Sequence, residues 1–367
     1  LTYSIFIVIN LRQSSTSNIT NLPKQLDGKT HKHWTLGQED IIFSQDFIME
    51  KRRLGKSDVE ITPILMGTWQ AGKKMWVGIE DADSIKAIRS AFEAGITTID
   101  TAEIYGDGHS EQIVAEALSD VRNSVEYATK VFPNHLKYNQ VIEACDRSLK
   151  NLKTDRIDLY QIHWPSGAFN TEIVPIEETM NALNHLKEQG KIRAIGVSNF
   201  SRAQLEEAAQ YGRIDSLQPP YSLFWRQVEK DAMPYCIENQ ISILAYSPLA
   251  QGLLTGKFGP DHKFDPQDNR AKNKLFQGEN YQRAQKALEK LQPIADRHHC
   301  TLAQLALAWL IAQPQTQAIA GARYPEQAIA NAQAASVQLS AAELQEIDAI
   351  GRIVTDHLDS GSVMWNF

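Results

Sequence analysis

The chain has 367 residues, 43% of them hydrophobic, with a formal net charge of -7 at pH 7. That length holds one large α/β barrel or two average domains, and the acidic balance excludes a nucleic-acid backbone binder, whose footprint is basic. No apolar run approaches the ~20 residues that cross a bilayer, and the three scattered cysteines, Cys145, Cys236 and Cys300, suit buried reduced thiols in a cytoplasmic protein.

Residues 10–47 are polar and aperiodic. Ile5–Ile9 lacks the basic flank and cleavage site of a signal peptide. Residues 1–50 are therefore expected to be a disordered leader, or sequence upstream of a start at Met49. His31 and His33 have no carboxylate or cysteine nearby, and no metal site is expected.

From residue 51 short β-branched runs alternate with amphipathic stretches. Lys51 to Ile61 predicts a hairpin. Strands are expected over 64–68, 97–102, 125–131, 157–163, 192–199, 216–219, 242–248 and 317–323. Helices are expected over 81–94, 109–118, 139–151, 175–189, 201–211, 229–238 and 325–335; Ile85, Ile88 and Phe92 mark one apolar face of the first. Pro175 and Pro325 suit a first helical turn. A long loop over 252–279 follows the seventh strand, with further helices over 283–298, 302–312 and 341–350.

Strands alternating with helices give a closed barrel or an open doubly wound sheet. The open sheet carries a G-x-G-x-x-G turn after its first strand, which Gly67-Thr68-Trp69-Gln70-Ala71-Gly72 does not match. The fold expected is a single (β/α)8 TIM barrel over 51–352. It has an N-terminal hairpin, a long loop after strand seven, extra C-terminal helices and a tail over 353–367.

In such a barrel the site lies at the C-terminal ends of the strands. Asp100, Lys130 and His163 all fall there, with Tyr105 in the loop after strand two. A carbonyl accepting hydride develops negative charge on oxygen. A phenol can protonate it, but with a pKa near ~10 it is a weak acid. The expectation is that the Lys130 cation lowers that pKa, Asp100 keeps Lys130 charged, and His163 orients the carbonyl.

The segments D-T-A-E-x-Y-G, A-T-K, D-L-Y-Q-I-H-W-P, G-V-S-N-F and Y-S-P-L-A-Q-G-L-L-T-G-K resemble the aldo-keto reductases. The similarity is greatest to the bacterial branch that also resembles the potassium-channel β-subunits. It implies a (β/α)8 barrel reducing carbonyls with NADPH, and Asp100, Tyr105, Lys130 and His163 as the catalytic tetrad with Tyr105 as the acid.

The cofactor residues follow the same strand ends. Tyr246 can stack on a nicotinamide, and Ser198, Asn199 and Gln218 can bond its carboxamide. Backbone amides of Ser247, Pro248, Leu249, Ala250 and Gly252 (Pro248 lacking an N–H) approach a pyrophosphate, with Lys257 adding charge. Thr68, Trp69 and Arg270 match family positions that touch the cofactor. Gly321 to Asn331 opens the last barrel helix, an anion site. Arg323 suits a 2′-phosphate, hence NADPH over NADH, and Gln327 and Asn331 suit adenine, as the family pattern G-x-R-x-x-x-Q-x-x-x-N implies.

Trp69, Trp76 and Trp164 are expected to wall an apolar substrate pocket, with Met75, Tyr105 and Trp225 beside them and Trp365 folding over it. The expected partner is a small-molecule carbonyl, with no nucleic acid, no membrane and no obligatory protein partner. Two alternatives stand beside this. One is an NADPH-binding regulatory subunit with little turnover. The other is a barrel enzyme forming a Schiff base on Lys130.

Overall fold

The structure is a computed structural model and describes residues 49–74, 76–265, 268–361, 363 and 364. Of the leader expected over 1–50, residues 1–48 lie outside the described residues, as do Met75 and Trp365.

The β-branched runs form eight parallel strands: β3 (Ile64–Gly67), β4 (Thr98–Asp100), β5 (Glu126–Val131), β6 (Ile157–Ile162), β7 (Ile192–Ser198), β8 (Ser216–Gln218), β9 (Ser242–Ala245) and β10 (Thr316–Gly321). They close into a barrel in chain order, with β10 beside β3. Successive side chains point to opposite faces. Leu65, Ala128, Leu159, Ala194, Leu244 and Ile319 therefore meet in one cluster inside, whereas Ile64, Met66, Tyr127 and Tyr160 join the larger core under the helices.

The expected hairpin is β1 (Arg52–Arg53) paired with β2 (Glu60–Ile61). Its Leu54, Val59 and Ile61 belong to the inner cluster and plug the barrel floor. Arg52 clamps it there, donating to the carbonyls of Ile311 (2.8 Å) and Thr316 (2.9 Å).

The outer layer comprises α1 (Asp81–Glu93), α2 (His109–Leu118), α3 (Tyr138–Asn151), α4 (Ile176–Glu188), α5 (Arg202–Ala208), α6 (Ala232–Asn239), α7 (Gly278–Arg297), α8 (Leu302–Ile311), α9 (Pro325–Gln333) and α10 (Ala341–Thr355). Several boundaries differ from expectation. The helix expected over 229–238 divides at Asp231, whose φ of -122° and ψ of -78° are not helical. Pro234 then falls in the first turn of α6, where a missing N–H costs no internal bond. Pro175 is the N-cap of α4 and not part of its first turn. The last helix runs on to Thr355 because Val354 is still buried. Among the described residues no helix is long and apolar enough to cross a membrane.

Strand register sets the site. Asp100 pairs with Gly67 and Ala128, Lys130 with Gln161, and Ser198 with Gln218. Gly196 makes this layer possible. A Cβ there would stand 2.3 Å from Ser216 Oγ and 2.9 Å from Gln161 Cγ, so only glycine leaves room for the amide beneath the mouth.

Candidate active site

Asp100 ends β4, and Lys130 lies just before the end of β5. Lys130 Nζ donates to Asp100 Oδ1 at 2.6 Å and to the Thr101 carbonyl at 2.7 Å, with its side chain wholly out of solvent. Gln218 Nε2 donates to the other Asp100 oxygen at 2.9 Å, with Gln161 Nε2 at 3.4 Å. Burial draws the Lys130 pKa below its ordinary value, and Asp100 pulls against that shift. A Schiff base needs this nitrogen in the cavity. Instead it is enclosed and held by two acceptors, which disfavours that chemistry.

Tyr105 follows on a loop pressed against the 69–72 turn. A Cβ on Gly72 would stand 2.6 Å from the Tyr105 carbonyl carbon, and one on Gly106 would stand 2.5 Å from Gly72 O. Lys130 Nζ lies 5.1 Å from the Tyr105 ring centroid. The expected lowering of the phenol pKa is corrected here. Burial pushes it well above its ordinary value, and the Asp100 carboxylate adds to the shift. The reason is that Lys130 spends its charge on Asp100, while a phenolate would lose water and face that carboxylate. Tyr105 therefore stays protonated at neutral pH.

His163 follows β6, its ring edge-on to Tyr105 with centroids 5.7 Å apart. Burial, and then the Lys130 cation, hold its pKa well below the ordinary histidine value. The ring is neutral. Among the described residues nothing hydrogen-bonds its buried Nδ1.

Asp100, Tyr105 and His163 open on a cavity of about 1100 Å3. Each residue expected to hold a cofactor lines it, except Ala250, whose side chain is fully buried. The chain turns through left-handed φ at Ala250 and Gln251, which puts Gln251 at the cavity instead. Around Tyr246 the polar groups already bond one another. Tyr246 Oη donates to Asn199 Oδ1 at 2.9 Å. Asn199 Nδ2 donates to the His163 carbonyl at 3.1 Å, and Ser198 Oγ to the Gln218 carbonyl at 2.8 Å.

The far end is cationic. Lys257 is drawn below its ordinary pKa by burial, then by repulsion from Arg270 and Arg323. Three cations thus share one end of the cavity, with Asp268 pairing Arg270 at 2.5 Å. Gln327 Oε1 accepts the Arg323 backbone N–H at 2.8 Å, and Asn331 Nδ2 donates to the Gly321 carbonyl at 3.2 Å. Sequence reading missed what packs this end. Arg270 lies 4.5 Å over Phe264 and Lys257 4.8 Å over Phe258, and those two rings meet at 5.1 Å. The rings are scattered through an aperiodic loop, so no spacing announced them.

Trp69, Trp76 and Trp164 line the cavity as well, the Trp76 ring lying 5.5 Å from the Arg323 guanidinium. Two unanticipated rings join them. Phe132 stacks on Phe169 (5.6 Å, 17°), and Phe169 packs edge-on against Trp164 at 5.2 Å. Trp225 is corrected. It has no exposed surface and does not line the cavity. Reciprocal backbone bonds between Ser222 and Trp225 (3.0 and 3.1 Å) form a tight turn there, and the ring packs into the core.

Comparison with known proteins identifies the family. The Aldo/keto reductase family model matches residues 63–352. The chain is 37% identical over 314 residues to Aldo-keto reductase YhdN of Bacillus subtilis, covering 82% of this chain and 93% of that protein. It is 37% identical over 318 residues to the NADH-specific methylglyoxal reductase of Escherichia coli, covering 80% of this chain and 96% of that one. A solved aldo/keto reductase from Klebsiella pneumoniae, in complex with NADP and acetate, aligns with a TM-score of 0.66 at 30% identity, covering 83% of this chain and 95% of that one.

Proposed function

The chain belongs to the aldo/keto reductase family of oxidoreductases, and from that premise we propose that it reduces uncharged aldehydes and ketones to alcohols with NADPH. The observation that carries this reading is one cavity that opens on Tyr105, His163 and the Lys130-paired Asp100 and is also walled by the cations Lys257, Arg270 and Arg323.

The residues present fit a dinucleotide. The cavity exceeds the ~300–1,000 Å3 of ordinary ligand pockets, leaving room for cofactor and substrate together. Lys257, Arg270 and Arg323 suit a phosphate-rich anion. Gln327 and Asn331 each spend one group on the 321–323 loop. The remaining Gln327 amide nitrogen and Asn331 carbonyl oxygen make a donor–acceptor pair that suits adenine. The cofactor, when bound, supplies the hydride.

The chain's own residues manage the oxygen. Tyr105, protonated at neutral pH as a phenol ordinarily is, gives its proton to the carbonyl oxygen as negative charge grows there. Lys130 then lies near the phenolate that this leaves. Neutral His163 donates a second hydrogen bond to the same oxygen, and the aromatic wall excludes water. Lys74, at the rim, is paired with Asp107 at 2.6 Å.

The test is NADPH oxidation by purified protein over a panel of aldehydes and ketones, methylglyoxal included, against the same panel with NADH. Turnover of uncharged carbonyls with NADPH is expected. Binding of NADPH without turnover of any panel member would favour a regulatory subunit.

A further inference from the structure

Glu103 has no role in the reading above, although it lies between Asp100 and Tyr105. Its side chain is 10% exposed and both carboxylate oxygens are engaged. Oε1 accepts the Phe132 backbone N–H at 2.8 Å and His135 Nδ1 at 3.0 Å, and Oε2 accepts Arg147 at 3.1 Å. The Glu103 N–H donates to the Lys130 carbonyl at 3.3 Å. One carboxylate thus ties the Tyr105 loop to the start of the loop after β5, where Phe132 stands.

Phe132 bears on His163. Its ring meets the imidazole edge-on, with centroids 5.7 Å apart and planes at 81°, and Tyr105 makes a like contact at 5.7 Å and 79°. A functional histidine is ordinarily oriented by the bond that its second nitrogen makes. Here Nδ1 is buried with no partner among the described residues. The ring's orientation therefore rests on packing against Phe132 and Tyr105.

We propose that Glu103 is a positioning residue: by pinning the Phe132 backbone it holds the His163 ring in the orientation that turns its other nitrogen toward the substrate oxygen. The bond from Phe132 to Oε1 carries the effect, and His135 and Arg147 hold the carboxylate still. For its consequence in turnover the inference rests on the carbonyl-reductase reading; the contacts themselves do not.

The experiment has two arms, so that the two ideas fail separately. In cofactor-free protein labelled with 13C-histidine, the His163 Cε1–H signal is identified by its loss in His163→Asn. It should be single and sharp in the wild type, broadened or split in Glu103→Ala and in Phe132→Leu, and sharp again in Glu103→Gln, whose amide oxygen still accepts the Phe132 N–H. In turnover, Glu103→Ala should lower kcat about tenfold, a modest case of misplaced geometry, with NADPH affinity within about twofold of wild type. Glu103→Gln should recover at least half of that loss. In a His163→Asn background, Glu103→Ala should cost nothing further. An unchanged His163 signal in Glu103→Ala, or the same kcat loss with His163 already gone, overturns the proposal. If Glu103→Ala does not fold, an unchanged signal in Phe132→Leu overturns it equally. A wild type without carbonyl turnover overturns the functional reading and leaves the spectroscopic arm to decide this one.

Discussion

Lys130 Nζ lies 2.6 Å from Asp100 Oδ1, with side chains 0% and 4% exposed. Two charges taken out of water hold only while each has the other, and removing one partner typically costs about 3–5 kcal/mol. Asp100→Asn should therefore destabilise the protein by roughly that amount, since the buried ammonium then faces only neutral acceptors, the new amide oxygen and the Thr101 carbonyl. Adding Lys130→Met should recover much of the loss. Urea denaturation of the two variants checks this; a double variant no more stable than the single one would show that the pair is not coupled.

The depressed His163 pKa makes a stability prediction with a definite sign. In the folded protein the imidazole resists protonation because of burial and the Lys130 cation. The unfolded chain takes up that proton as pH falls below about 6.5. The unfolded state therefore binds more protons there, and stability drops by about 1.4 kcal/mol per pH unit from this group alone. Above that range His163 contributes no pH dependence. Unfolding measured between pH 5 and 7 should show a shallower acid decline in His163→Asn. Parallel curves for the two proteins would mean that the folded-state imidazole titrates normally.

Arg323 separates the two nicotinamide cofactors if it reads a 2′-phosphate. A charge-assisted bond contributes about 1.5–3 kcal/mol, or roughly 10- to 100-fold in affinity. Arg323→Ala should weaken NADPH by that factor and NADH by much less. Fluorescence titration with each cofactor decides it. Equal losses would assign Arg323 to shape or to the shared pyrophosphate, and would align this chain with its NADH-specific Escherichia coli relative.

Much of the fold was legible because buried parallel strands write themselves as short continuous apolar runs. Ile64–Gly67 is one, and its residues are all buried. The convergence of Asp100, Lys130 and His163 followed once those runs were placed, since strand ends in a barrel share a face. What escaped depends on directions that sequence does not encode. Trp225 reads like any other aromatic near a strand end, yet a tight turn at Ser222 accompanies its burial in the core. Ala250 belongs to a segment of small residues, and only its left-handed backbone reveals that Gln251 faces the cavity. Phe132 and Phe169 lie far apart in the chain and meet only because adjacent strands deliver them. The phenol pKa was misread for a related reason. Proximity of Lys130 was legible, but its commitment to Asp100 at 2.6 Å, and the burial that outweighs it, were not.

The role of Tyr105 is the centre of the proposed chemistry, and one substitution isolates it. Tyr105→Phe keeps the ring that packs beside His163 and Trp69 and removes only the proton. Steady-state carbonyl reduction should be measured beside NADPH binding in the same preparation. Binding should match wild type while kcat falls by ~10²–10⁴-fold, the span that general acid catalysis ordinarily supplies. A variant that binds NADPH and keeps more than about a tenth of wild-type kcat would contradict Tyr105 as the proton donor.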